Sequence, residues 1–109
     1  MSETSDALNT IFTEMPGRLN AQTAAGMDAV IQYDLTGDDA CTYHCAIKDG
    51  AATVNEGGHD APTMTVTMAA GDFVDMIGGN LDGMSAFMTG KLKVSGDMSL
   101  AMKMQSLFT

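Results

Sequence analysis

The feature that most constrains the fold is a strict alternation of apolar and polar residues, and residues 63–68 show it most clearly. Within this segment Met64, Val66 and Met68 alternate with three threonines. Successive side chains of a β-strand point to opposite faces, so the pattern predicts a strand with one apolar and one polar face. Such strands are typical of an antiparallel sheet that is covered on one side and solvated on the other.

Similar patterns predict the remaining strands and helices. The alternation recurs in residues 28–36 and 41–48, and Asp49-Gly50 is a strong hairpin signal before residues 51–54. Apolar residues at helical spacing, with aspartates or glycines at several of the ends, indicate helices elsewhere. The predicted helices cover residues 6–15, 20–25, 72–77, 82–89 and 97–108, and a last strand covers residues 91–94. We expect one domain spanning residues 1–109.

The predicted last helix has more apolar surface than one contact with a sheet requires. On a helical wheel its apolar residues spread over about 220°, interrupted only by Gln105, whereas a core-facing stripe needs roughly 100°. These residues are Met98, Leu100, Ala101, Met102, Met104, Leu107 and Phe108. The second contact is with another helix, a partner chain or a ligand, and periodicity alone favours a packed core.

Methionine is the unusual component of the composition. The chain has 11 Met, against four Phe, two Tyr and no Trp. Six of these methionines lie in the last third of the chain: Met76, Met84, Met88, Met98, Met102 and Met104. Because Met is flexible and polarizable, it fills irregular cores and also lines surfaces that accommodate variable partners. The clustering therefore indicates either a Met-rich core or an adaptable binding surface.

The net charge of −9 argues against partners that select Lys and Arg, such as nucleic acids and anionic membrane surfaces. The charge is unevenly spread. Residues 1–90 carry −11, from two basic and thirteen acidic residues, and residues 91–109 carry +2. The acidic start has no signal-peptide pattern, no stretch has the length of a membrane span, and Ser106 to Thr109 is not a peroxisomal signal. We expect a cytoplasmic protein.

Motifs for catalysis, phosphate binding or metal binding do not emerge from the sequence. It contains neither a Gly-x-Ser-x-Gly elbow nor a phosphate-binding loop. Cys41, His44 and Cys45 lie on one predicted strand, where four residues span about 13 Å and His44 points away from both thiols. We therefore expect no disulfide, no metal site, no cofactor and no enzymatic activity.

Residues 86–108 resemble the C-terminal half of the sterol carrier protein type 2 (SCP-2) domain. The similar elements are an Ala-Phe stretch, a Gly-Lys-Leu-Lys strand, a Gly-Asp-Met turn and the Leu-Ala-Met-Lys start of the last helix. Upstream, Ile47 to Gly50 and Thr65 to Met68 followed by Asp72-Phe73 are similar as well. The resemblance implies an α+β fold: a five-stranded, mostly antiparallel sheet with helices over one face and an apolar lipid tunnel between them.

The resemblance also implies a function without catalysis, the binding or transfer of a fatty acid, acyl-CoA, sterol or phospholipid, with transient membrane contact. The alternative is an assembly module that uses the same apolar surface to form a homodimer or to dock on a lipid-metabolising enzyme. Both functions would use the side chains around the implied tunnel. The predicted lipid-binding residues are Ile77, Met84, Phe87, Met88, Leu100, Met102, Met104, Gln105 and Phe108.

Overall fold

A five-stranded sheet forms the centre of the molecule. A computed structural model describes residues 3–37, 40–97 and 99–100, with backbone alone for residues 3–5, 21, 23 and 83. The strands are β1 (Asp28–Thr36), β2 (Cys41–Lys48), β3 (Ala51–Glu56), β4 (Met64–Ala69) and β5 (Leu92–Gly96), in the spatial order β3-β2-β1-β4-β5. Three of the neighbouring pairs are antiparallel and the central β1–β4 pair is parallel. The predicted mostly antiparallel sheet is confirmed.

The hairpin between β2 and β3 follows from two residues with positive φ. Asp49 has φ 55° and Gly50 has φ 76°. Two central residues in this region form the type I′ turn, whose twist matches that of the flanking strands. The turn sets the register in which Ile47 pairs with Ala52 and Cys45 pairs with Val54. The predicted hairpin is therefore present where the sequence indicated it.

Residues 57–63 carry the chain from the β3 edge across the polar face of the sheet to β4, and this crossing makes β4 parallel to β1. His44 Nδ1 lies 2.8 Å from the carbonyl oxygen of Gly57. Further along, the His59 backbone N–H donates to Gln32 Oε1 at 2.9 Å. The rings of His44 and His59 meet edge to face at 5.4 Å. Both histidines thus help to position the crossing segment.

Helices cover the opposite face of the sheet. They are α1 (Glu3–Glu14), which continues into a 3-10 turn (Met15–Arg18), α2 (Ala21–Ala24), α3 (Ala70–Ile77) and α4 (Gly83–Met88). The alternation of each strand places its apolar side chains under these helices. The buried core between the layers contains Leu8, Phe12, Met15, Ala24, Ala29, Ile31, Tyr33, Leu35, Cys45, Ile47, Met64, Val66, Met68, Ala70, Phe73 and Leu100. The predicted two-layer α+β architecture is confirmed.

Phe12 joins both layers through an aromatic cluster. Its ring stacks on Tyr43 of β2 with a centroid distance of 4.0 Å, and on Phe73 of α3 at 5.5 Å. Tyr33 of β1 contacts Phe12 edge-on at 5.5 Å and also contacts Phe73. Aromatic pairs in these geometries add to the stabilisation from buried area. One residue of α1 therefore connects two strands with a second helix.

Candidate functional site

The structure describes five of the nine residues predicted to bind lipid. Leu100 is buried in the core, Ile77 is half-buried, and Met84, Phe87 and Met88 are exposed. The other four predictions, Met102, Met104, Gln105 and Phe108, lie outside the described residues. Four of the five described residues lie on α3 and α4, on the helical side of the sheet, and Leu100 follows β5.

Helix α4 is short and held by local hydrogen bonds. Asp82 is its N-cap, because Asp82 Oδ2 accepts from the backbone N–H of Ser85 at 3.1 Å and from Ser85 Oγ at 3.2 Å. Thr89 Oγ1 donates to the Ser85 carbonyl at 2.8 Å at the other end. Gly90, with φ 81°, then turns the chain towards β5. The helix predicted over residues 82–89 is therefore present, with Asp82 as its N-cap.

The apolar stripe of α4 faces away from the core. Ala86 is fully buried, whereas Met84, Phe87 and Met88 are 59%, 46% and 78% exposed. At 100° per residue these three side chains occupy an arc of about 100° on the side opposite Ala86. They are the exposed large hydrophobic residues of the described chain. Because exposed apolar side chains grouped on one face are typical of interaction sites, this arc is the candidate binding surface of the described chain.

The predicted last helix begins as expected in its described part. Asp97 Oδ1 accepts from the backbone N–H groups of Ser99, at 2.9 Å, and Leu100, at 3.3 Å. This is the geometry of a helix N-cap. Leu100 is 5% exposed and packs in the main core. The start of this segment is thus anchored to the helical side of the sheet.

A small cavity lies beside that anchor. Its volume is about 170 Å³, and its lining is Met27, Asp28, Ala29, Thr63, Asp97, Ser99 and Leu100. Cavities that enclose small molecules usually measure about 300–1,000 Å³, so this one is too small for a long acyl chain. The predicted tunnel is not seen between the residues that the structure describes. Its proposed walls include residues 101–109, outside that description.

The buried titratable groups in the core are neutral. Burial raises the pKa of the Cys45 thiol to about 11 and also raises the pKa of the Tyr33 hydroxyl. Desolvation disfavours the charged form of both groups. A thiol held in this state is a poor nucleophile and a poor metal ligand, because both roles need the thiolate. Cys45 therefore acts as a small apolar core residue.

Metal-ligand clusters are absent from the described part of the chain, where no three His, Cys, Asp or Glu residues lie close enough to hold an ion. His44 and His59 come together, as the sequence did not indicate, but hydrogen bonds engage both. The Ala61 backbone N–H donates to His59 Nδ1 at 3.1 Å, and His44 Nδ1 faces the Gly57 carbonyl. Their observed role is to hold the crossing segment on the sheet.

The sequence predicted Met84, Phe87 and Met88 as lipid-binding residues, and the structure places all three on one exposed face of α4. Their spacing alone does not say whether this face lies against the core, whereas the burial of Ala86 on the other side of the helix shows that it does not. None of the helices in the described part of the chain is long and apolar enough to cross a membrane.

Comparison with solved structures finds proteins that have the same fold. The crystal structure of Sterol Carrier Protein 2 Like 2 from Aedes aegypti matches with a TM-score of 0.76 at 23% identity, over 91% of this chain and 94% of that one. The solution structure of the palmitated form from the same mosquito matches with a TM-score of 0.74 at 24% identity, over 95% and 91% of the two chains.

Sequence comparison gives both a relative and a family. Hydroxysteroid dehydrogenase-like protein 2 of Mus musculus is 34% identical over 104 residues, which cover 94% of this chain and 21% of that protein. The chain thus spans about a fifth of the length of that curated relative. Residues 8–109 match the SCP-2 sterol transfer family. The chain belongs to the SCP-2 sterol transfer family.

Proposed function

We propose that this chain binds a long-chain acyl lipid between α4 and residues 101–109 and performs no chemistry on it. The observation that carries the proposal is the outward-facing apolar arc of Met84, Phe87 and Met88. A soluble domain gains about 25 cal/mol for each Å² of apolar surface that it removes from water. A lipid chain lying along this arc would remove that surface without requiring polar groups.

The path of the chain supports a role for residues 101–109 as the second wall. Strand β5 begins at Leu92, which pairs with Met68, and ends at Gly96, which pairs with Met64. Helix α4 comes just before Leu92 in the chain and contacts β5. We infer that residues 101–109, which follow the core residue Leu100, supply the second wall through Met104 and Phe108.

Structures of similar proteins support an acyl chain as the ligand. The mosquito protein with this fold is described as palmitated, and a related Aedes aegypti protein as a complex with C16 fatty acid. Burying about 15 methylenes at ~0.8 kcal/mol each gives about 12 kcal/mol gross. Association costs several kcal/mol of that, so a Kd in the micromolar range is expected.

An assembly role is the second candidate, and one observation favours it. The mouse relative and the peroxisomal multifunctional enzyme A of Dictyostelium discoideum bear enzyme names, and this chain matches only 21% and 23% of their lengths. Domains of this family thus occur beside other domains. In that role the α4 arc would bind protein instead of lipid.

Native purification followed by solvent extraction separates the two candidates. If the proposal is correct, the extract contains acyl lipid in near-stoichiometric amount, and the mass of the protein in solution is independent of lipid removal. A lipid-free protein whose mass is that of a dimer, and which binds no added fatty acid, would instead support assembly.

Variants of the proposed second wall test where the lipid binds. In delipidated protein, Met104→Ala and Phe108→Ala should each lower acyl-chain affinity about tenfold, the equivalent of about 1.4 kcal/mol of lost contact. Their free energies of unfolding should fall by only about 1 kcal/mol, less than the ~2–5 kcal/mol typical of a core site. Met64→Ala is the matched control: Met64 is fully buried, so stability should fall strongly while affinity stays within about threefold. Large stability losses with unchanged affinity in the first two variants would contradict the proposed site.

A further inference from the structure

We propose that Met84 and Met88 of α4 form a reversible oxidation site, at which hydrogen peroxide converts both thioethers to sulfoxides and thereby lowers the affinity for the acyl chain. This inference rests on the proposed function, because it assigns regulation to the surface on which the lipid would lie. It follows from the exposure of the two methionines, their position on one helix face and the contacts that hold α4.

Exposure distinguishes these two methionines from the others in the described part of the chain. Met84 is 59% exposed and Met88 is 78% exposed. The other five described methionines are buried or half-buried: Met15, Met27, Met64, Met68 and Met76. Oxidation of side-chain sulfur follows exposure, because the oxidant arrives from water. Dissolved peroxide therefore meets Met84 and Met88 before the methionines of the core.

The two side chains lie one helical turn apart, so both can be modified on the same face of α4. In each reaction the thioether sulfur attacks a peroxide oxygen, an S–O bond forms and the O–O bond breaks. The leaving hydroxide takes up a proton and becomes water. Sulfur loses two electrons and peroxide gains them. Methionine sulfoxide reductases reverse the change: the oxygen leaves as water while a dithiol is oxidised to a disulfide.

A pair of sulfoxides would change the chemistry of the arc formed by Met84, Phe87 and Met88. Oxidation converts a flexible apolar side chain into a polar one. An acyl chain has no hydrogen-bond donor to offer a sulfoxide oxygen, so covering that oxygen removes it from water without compensation. After oxidation Phe87 alone would present large apolar surface on this face. The acyl chain should therefore bind the oxidised protein more weakly.

The contacts that hold α4 in place do not involve these two thioethers. Ala86 is fully buried and fixes the opposite side of the helix to the core. The helix begins at the cap that Asp82 forms with Ser85, and at its end Thr89 Oγ1 donates to the Ser85 carbonyl. Oxidation should thus alter the binding surface and leave the fold intact, as a reversible switch requires.

Mass spectrometry of the full delipidated chain after brief treatment with hydrogen peroxide tests the site. Sulfoxide should form at Met84 and Met88 about tenfold faster, or more, than at Met15, Met64 and Met68. Palmitate should slow the oxidation of the first two, because the acyl chain would cover them. Equal rates at exposed and buried methionines would overturn the proposal. Unchanged rates with palmitate bound would overturn the regulatory role.

Affinity for a fluorescent C16 fatty acid, measured before and after oxidation, tests the regulation. The unmodified chain should lose affinity about tenfold, keep its urea unfolding midpoint, and recover after treatment with methionine sulfoxide reductases. In Met84→Leu combined with Met88→Leu, the affinities before and after peroxide should agree within about twofold, since leucine has no sulfur. Met27→Leu combined with Met76→Leu is the matched control, and peroxide should still lower its affinity about tenfold.

The possible failures are distinguishable. A loss of affinity on oxidation of the Met84→Leu, Met88→Leu variant would assign the effect to other methionines and overturn the proposal. A lowered urea midpoint of the oxidised chain would overturn it as well, because oxidation would then act through the core. If the unmodified chain binds fatty acid equally well before and after oxidation, only this inference is wrong. If the unoxidised chain binds no fatty acid, the proposed function fails, and the regulation that rests on it fails too.

Discussion

Gly96 is the residue at which the described fold tolerates a side chain least. It has φ 101°, and an added Cβ would lie 2.5 Å from the carbonyl oxygen of Thr63 and 3.0 Å from Met64 Cα. Both neighbours are backbone atoms, which cannot move aside without disturbing the β4–β5 pairing. Only glycine satisfies the dihedral angle and the close approach together.

Gly96→Ala should therefore lower the free energy of unfolding by about 2–4 kcal/mol, through strain at positive φ and the backbone clash. Gly71→Ala is the matched control. Gly71 lies in α3, where an added Cβ would have no neighbour within 4 Å, so alanine should stabilise the helix by about 0.5–1 kcal/mol. Urea denaturation of both variants measures the difference. Equal stability of the two variants would contradict the β5 geometry.

The buried thiol of Cys45 makes stability depend on alkaline pH. Its pKa is raised to about 11 by burial, whereas an unfolded chain releases the proton near pH 8.5. The contribution of the neutral thiol to stability is thus fully present below about pH 8.5 and is lost as the pH rises through 11. The raised pKa of the Tyr33 hydroxyl acts in the same direction from about pH 10 upwards, where a tyrosine of the unfolded chain loses its proton.

We expect the free energy of unfolding to fall by about 2–3 kcal/mol from this group between pH 8.5 and 11, since each pKa unit is worth about 1.36 kcal/mol. Cys45→Val removes the thiol and should show a shallower decline, while Cys41→Val at the half-buried position should keep the original slope. Denaturation curves across this range provide the measurement. Identical slopes in all three proteins would show that Cys45 is not held neutral in the core.

At the scale of elements, Phe12 and Phe87 allow two helices to be compared, because each helix carries one phenylalanine in a different environment. Phe12 of α1 is 4% exposed and contacts three aromatic rings, whereas Phe87 of α4 is 46% exposed. Phe12→Ala should cost about 3–5 kcal/mol of stability, because it empties the centre of the core. Phe87→Ala should cost less than about 1 kcal/mol. Comparable losses measured by chemical denaturation would mean that α4 is turned the other way.

The strands and helices were largely predictable from the sequence, but the order and direction of the strands in the sheet were not. Alternation identified the strand at residues 63–68, since Met64, Val66 and Met68 are all buried. The same alternation marks the faces of a strand but not its direction, so the parallel pairing of β4 with β1 could not be derived from it. That pairing follows from the crossing of residues 57–63 over the polar face, which His44 and Gln32 hold in place.

At the scale of the whole molecule, the sequence predicted the family and the fold, whereas the site residues stay predictions. The C-terminal motifs led to the family, and the family implied a helix-covered sheet with an apolar site. The spacing of Met84, Phe87 and Met88 predicted that they share one face of a helix, but not that this face is exposed while Ala86 is buried. Met102, Met104, Gln105 and Phe108 stay predictions, since they lie outside the described residues.

Binding of an acyl chain by this domain is tested most directly by titration of the delipidated protein with a fluorescent C16 fatty acid. We expect saturable binding with one site for each chain, a Kd of about 1 μM, and competitive displacement by unlabelled palmitate. Binding should be weaker in Phe108→Ala and unchanged in Lys48→Glu. Absence of a saturable signal below ~50 μM, in protein shown to be folded, would contradict the proposed lipid-binding function.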